Sequence, residues 1–330
     1  MSVLMLAIGI LLTIAPLRAE MKEIRVALQF GLFNLPVTVA EAQGFFTAEA
    51  RKVGLGDLKV TVQRFSGGPA MNDALLSGST DLGLYGPSAL LVAWDKTKGR
   101  QNVAGLAALA AYPIVLFTNR PEIKSFIDFG EQDRIAVPGS VSPHAILIRM
   151  AAEKFYGPGK YAQVDRLLVT MPHPDAIAAL LASKAGITGY VASPPFSVML
   201  RKSDKVHAVL TSKEFLDGEE ATIALLAAGK RFVDANPTVS RVIIAALEDA
   251  MAFIARDGDK AADIYIKSES SKIAKQEVLE ALTDGTMIYS VAPSGLMKFA
   301  RFMAKTGQLK NEPKSWQDVF FPFLHGRNGS

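Results

Sequence analysis

The sequence has no cysteine. That absence excludes disulfides, thiolate nucleophiles, cysteine-held zinc and iron–sulfur clusters, and it leaves no lipobox residue to carry a lipid anchor. An excess of one charge is also missing: 36 Lys and Arg face 32 Asp and Glu, a formal net charge of +4. Without a basic run or a basic–aromatic alternation, this supports only diffuse attraction to anions and no nucleic-acid partner. There is no His-Glu-x-x-His, no Walker lysine after Gly67-Gly68 and no EF-hand loop. Gly86-Pro87-Ser88-Ala89-Leu90 lacks the final glycine of a nucleophile elbow. Gly54-Leu55-Gly56 opens like a dinucleotide fingerprint, but Lys59 stands where its third glycine belongs, so it reads as a turn. Four histidines lie far apart. Two of them, His144 and His173, fall in loops, and zinc would need a third ligand. Neither a catalytic residue, a metal nor a cofactor is expected.

No apolar stretch after the first residues is long enough to cross a membrane. Val3 to Pro16 is apolar apart from Thr13, the length of a signal-peptide core and short for a bilayer span, although no Lys or Arg precedes it. The expectation is a leader over 1–19 cut after Ala19, and export to the periplasm without a lipid anchor. The 330 residues are 49% hydrophobic, enough for two cores.

What is present is a repeated unit of strand, polar loop and helix. Leu58, Val60 and Val62 alternate with Lys59, Thr61 and Gln63, the period of a half-buried strand. The strand breaks at Ser66-Gly67-Gly68-Pro69, which suits a capped helix start. Asp81 to Tyr85 is a second strand, broken at Gly86-Pro87-Ser88 before another helix. Ile24 to Phe30 is a strand followed by the loop Gly31 to Pro36, with Phe33 and Asn34. Val103 to Asn119 divides into two strands near Tyr112-Pro113. The unit returns at Arg134 to Val137 with Ser140, Ser142 and Pro143, at Leu167 to Thr170 with His173, and at Ile187 to Val191 with Ser193-Pro194-Pro195-Phe196. Alternation of this kind implies parallel sheets in an α/β fold. Two sets of units, separated by an Ala-rich segment, imply two lobes.

After Leu210 the pattern turns helical, with Val239, Val242, Ile243, Ala246, Leu247, Ala250, Phe253 and Ile254 as one stripe. These helices are expected to pack back on one lobe and make it discontinuous. In open α/β sheets small ligands bind beyond strand carboxyl ends, and helix N-termini there favour anions. Ser66, Ser88, Ser140 and Ser142 stand at expected helix starts, where capping alone accounts for a serine and ligand contact is compatible with it. Phe33, Tyr85, Tyr112 and Phe196 at strand ends could wall a pocket, although core packing is the default for each.

Several segments resemble one family, the periplasmic substrate-binding proteins of ABC importers for nitrate, sulfonates and taurine, within the thiamine-pyrimidine synthase-like superfamily. Ala40-Glu41-Ala42-Gln43-Gly44-Phe45-Phe46 resembles its A-x-x-x-G-F-F segment. Ala74 to Gly83 resembles its A-L-x-x-G-x-x-D-apolar-G segment, and Ile123 to Pro138 resembles its entry to the second lobe. The resemblance implies a type II periplasmic-binding-protein fold, two lobes each with a mostly parallel sheet flanked by helices. Lobe one would comprise 20–115 and 215–330, lobe two 116–214, with hinges near Tyr112 and Glu219. The implied contacts are Phe33 and Asn34, Ser66-Gly67-Gly68, Gly86 and Ser88 from one lobe. Ser140, Ser142, His144, His173 and Ser193 face them, with Tyr112 and Glu219 at the crossings. Thr188 replaces an acidic residue often found in the family, and the cleft loops carry no obvious Arg or Lys, which argues against simple nitrate.

The expected function is a soluble, monomeric receptor for a small organic anion, a sulfonate or carboxylate with an apolar or aromatic body, serving an ABC permease and its ATPase. An alternative is an enzyme of the pyrimidine-synthase type, whose cysteine-rich iron site this chain could not build. Others are a receptor for a pyrimidine or thiamine precursor, or one that signals through a sensor partner.

Overall fold

A computed structural model describes residues 19–65, 68–183, 186–270 and 273–330. The expected leader core, Ser66 and Gly67 lie outside these residues. The strands are β1 Glu23–Leu28, β2 Lys59–Arg64, β3 Leu82–Tyr85, β4 Ala104–Ala111, β5 Val115–Thr118, β6 Ile135–Val137, β7 Leu168–Thr170, β8 Gly189–Ala192, β9 His207–Thr211, β10 Thr222–Ala228 and β11 Ile288–Tyr289. They form two sheets, ordered β11-β4-β10-β3-β1-β2 and β7-β6-β8-β5-β9. Each sheet carries helices, and the two make the two lobes of an α/β protein.

Both sheets are mixed. The strand–helix units are parallel as expected, β2-β1-β3 in one sheet and β7-β6-β8 in the other. The strands that carry the chain between lobes run antiparallel to them: β10 pairs with β3 and β4, and β5 pairs with β8 and β9. β10 corrects the expectation that the chain is helical after Leu210. Its sequence Thr-Ile-Ala-Leu-Leu-Ala-Ala is buried at every position, so it shows no alternation, and its alanines favour a helix locally. Pairing on both edges inside the sheet overrides that preference.

The chain crosses between sheets at 112–114 and again at 212–221. The two crossings are tied together, since Ser212 N–H donates to the Ile114 carbonyl at 2.9 Å and Ile114 N–H donates to Ser212 Oγ at 3.1 Å. One apolar core runs through sheet one and on to one face of sheet two. The other face of sheet two has its own cluster around Phe117, Ile177, Leu180 and Tyr190.

The helix Pro237–Arg256 buries the whole expected stripe. It packs on the helices Leu35–Ala42 and Phe45–Lys52, with the rings of Phe45 and Phe253 6.1 Å apart. Its first turn is capped from far away in sequence: Glu20 accepts from the N–H groups of Thr238 and Val239 at 3.0 and 2.7 Å. Among the described residues no helix is long and apolar enough to cross a membrane.

Candidate functional site

The loops beyond β6, β7 and β8 converge. The first enters the helix Pro143–Tyr156, where Ser142 Oγ accepts from Ala145 N–H at 3.2 Å and so caps the first turn. His144, the second residue of that helix, is only 4% exposed, and neither ring nitrogen has a hydrogen-bond partner. The second loop enters the helix His173–Leu181 and sets His173 against it, ring centroids 5.1 Å apart. The third carries Ser193, buried, and Phe196, whose ring stacks on His173 at 5.7 Å. Tyr190, from β8, completes the group with a 2.6 Å hydrogen bond between its hydroxyl and His173 Nδ1. Tyr112, in the crossing, buries its hydroxyl beside Ser193 without a hydrogen bond of normal geometry.

Burial sets the protonation of this group. Desolvation, and then the neighbouring His173 ring, holds His144 well below the ordinary histidine range. Burial pushes His173 down to about 4. Tyr112 and Tyr190 are raised, again by burial first. At neutral pH the cluster is therefore uncharged: two imidazoles and two phenols.

Sheet one meets this group at the N-terminus of the helix Pro87–Lys96. Ser88 is buried and its hydroxyl donates to the Val141 carbonyl at 2.8 Å, a bond between lobes. A Cβ on Gly86 would stand 2.9 Å from Pro143 Cδ. Gly86 and Ser88, expected to touch ligand, are thus engaged with the second lobe in this conformation. Of the four helix-start serines, the structure uses Ser142 as a cap and Ser88 as an interlobe donor. Ser140 is exposed, its carbonyl accepting from Arg149 at 2.7 Å.

Beyond β1, Asn34 is fully buried; its Nδ2 donates to the Gln29 carbonyl and its Oδ1 lacks a partner. Phe33 is half-buried, its ring lying where a Cβ on Gly31 would sit, 2.3 Å away. Gly68 begins the helix Gly68–Ser77. Glu219 stands apart, exposed and paired with Lys298 at 3.3 Å.

Two charged residues near these loops escaped the sequence pattern. Arg64, the last residue of β2, donates to the Gln29 carbonyl at 2.8 Å and pairs with Glu269 at 3.2 Å. Both carboxylate oxygens of Glu269 also accept from Gly31 N–H, at 3.0 and 2.9 Å. The strand-end rule that singled out Ser66 points equally to Arg64. Glu269 comes from the end of a helix more than 200 residues later and left no local signal. This cation is already neutralised by the chain's own carboxylate.

The NMT1-like family model matches residues 18–266. A protein of Brucella abortus (strain 2308), named only as a candidate binding protein, is 23% identical over 297 residues, 88% of this chain and 86% of that one. The alkanesulfonate-binding protein SsuA from Xanthomonas axonopodis pv. citri, solved bound to MOPS, superposes with a TM-score of 0.69 at 15% identity, covering 92% of this chain and 99% of its own. The periplasmic nitrate-binding protein NrtA from Synechocystis PCC 6803 gives 0.71 at 16% identity, covering 91% and 85%. At such identities the structural likeness establishes the fold, that of the periplasmic binding proteins.

Proposed function

The chain belongs to the NMT1-like family, and on that premise we propose that it is a receptor and not an enzyme. It takes a small organic anion into the seam between its lobes and delivers it to an ABC permease and its ATPase. The lobes are assigned as residues 20–115 with 215–330, and 116–214, bending where Ile114 and Ser212 tie the crossings together. The protein acts as a monomer in the periplasm after a leader ending at Ala19 is removed. Glu20, the first residue past that point, is already part of the fold through its cap on the helix Pro237–Arg256.

The observation that carries this reading is the set of buried polar atoms left without partners where the lobes join: the Tyr112 hydroxyl in the crossing and both ring nitrogens of His144. Each such group costs about 1–3 kcal/mol if it stays unsatisfied. A ligand with acidic oxygens can supply partners for the donors among them, and its apolar body can lie against Phe196 and Phe33. The sulfonate and nitrate for which two structural relatives are named support an acidic ligand.

The test is mass spectrometry of whatever is released when protein purified from its native host is denatured. A thermal-shift screen of sulfonates and carboxylates accompanies it. The expected outcome is a small acidic compound that, added back, raises Tm by several degrees. Release and stabilisation by a cationic compound or a bare metal ion would contradict the reading.

A further inference from the structure

Resting on that reading, we propose that the ligand's acidic group seats on the His144–His173 pair and that its binding there takes up a proton from solution. An acidic group needs positive charge or donors opposite it, and Arg64, the cation at the end of β2, is already held by Glu269 at 3.2 Å. In lobe two Arg149 shares the helix of His144 but is paired with Asp165 at 2.7 Å and with the Ser140 carbonyl. What remains open is His144, 4% exposed with two unpartnered ring nitrogens, 5.1 Å from His173.

Among the described residues, no charged group shifts the protonation of the pair. The helix His173–Leu181 contributes His173 and the exposed Asp175. β8 contributes Tyr190, hydrogen-bonded to His173, and the crossing contributes Tyr112. The facing helix Pro87–Lys96 brings Pro87 and Ser88 to the seam, neither of them titratable. Burial alone depresses His173, and burial with the His173 ring depresses His144. No group of three His, Asp or Glu suited to a metal ion occurs among the described residues. The pair is therefore neutral when unliganded and suited to an anion more than to a metal.

An anion within about 4–6 Å favours the protonated imidazole and opposes the desolvation that keeps the ring neutral. One proton then moves from water to an imidazole nitrogen, and an imidazolium–anion contact forms in a dry seam. By linkage, affinity for an anion that does not itself titrate must rise as pH falls, by up to about tenfold per pH unit while one proton is taken up. That interval lies above the unliganded value of about 4 for His173.

Benzenesulfonate is a suitable probe because it stays ionised from pH 5 to 8. Calorimetric titration of the protein is expected to give a Kd at pH 5.5 at least tenfold below that at pH 7.5. The ring 15N resonances of His144 or His173 should move to the protonated position on saturation at pH 6. His144→Asn and, as a second variant, His173→Asn should flatten the pH profile even if one of them folds poorly. Binding with a flat profile and unmoved ring resonances would overturn this proposal alone, because neutral imidazoles would then be donating through N–H only. No binding by benzenesulfonate or any other organic anion at any pH would overturn the ligand class and this proposal together.

Discussion

At the residue scale, buried charge is the point most open to test. Glu269 is held by Gly31 N–H and Arg64, yet burial still raises its carboxyl above the ordinary range. Removing one partner of a buried pair leaves the other uncompensated, at a cost of about 3–5 kcal/mol. Glu269→Ala is therefore expected to lower unfolding free energy by roughly 3 kcal/mol. Glu269→Gln, which keeps an acceptor for Gly31, should cost clearly less. Urea denaturation of the two variants measures the difference.

The histidines give a pH signature in the unliganded protein. A ring whose folded value lies below its unfolded one binds fewer protons folded than unfolded. Its stabilising contribution is complete above about 6.5 and is lost as pH falls toward about 4. At about 1.4 kcal/mol per unit over the roughly 2.5 units between the two values, His173 accounts for up to roughly 3.5 kcal/mol of acid-labile stability. Thermal melts from pH 7 to 4.5 should show His173→Asn with a shallower decline than the parent. Parallel declines would refute the assignment. The strand ends and the Gly and Pro breaks before His144 and His173 were legible in the sequence. The two residues stand in the first turns of the helices Pro143–Tyr156 and His173–Leu181 and not in the loops expected for them. Their mutual contact, across two helices, was not legible, because periodicity carries no information about which loops meet.

At the scale of elements, the seam between the helices Pro87–Lys96 and Pro143–Tyr156 decides how the lobes meet. Gly86 has φ −80°, so a side chain there carries no backbone strain. The obstacle is Pro143, 2.9 Å from the added Cβ and too rigid to swing aside. Overpacking of this kind costs about 1–3 kcal/mol, and on the proposed hinge it falls on the closed arrangement alone. Gly86→Ala should leave Tm nearly unchanged while weakening ligand binding by about 5–150-fold, since each 1.4 kcal/mol is a factor of ten. Ser88→Ala, which deletes the 2.8 Å bond to Val141, should act in the same direction by about 0.5–1.5 kcal/mol. Equal losses of stability and binding would show that these residues hold up a lobe and not the seam. The sequence made β1, β2, β3 and β6 to β8 legible through alternation or short apolar runs bounded by turns. It concealed β10, buried on both faces and rich in alanine, and β11, two residues long, because only tertiary pairing makes them strands.

At the scale of the molecule, two sheets joined by two short crossings can change their angle with little change inside either. His144 is buried in the conformation described, so on the proposed reading a ligand reaches it only when the lobes part. A ligand then stabilises the closed form by its differential affinity for that form and by no more. Reversing an open majority of about 99:1 needs roughly 5.5 kcal/mol, which contacts on both lobes can supply and contacts on one lobe hardly could. The two-lobed plan was legible early, because repeated strand–loop–helix units and the resemblance agreed on it. The direction in which the crossing strands run was not. The most direct test of closure on a ligand is small-angle X-ray scattering of the protein before and after saturation with the acidic compound recovered from it. The account predicts a smaller radius of gyration and a shortened maximum dimension on binding; an unchanged scattering curve at saturation would contradict it.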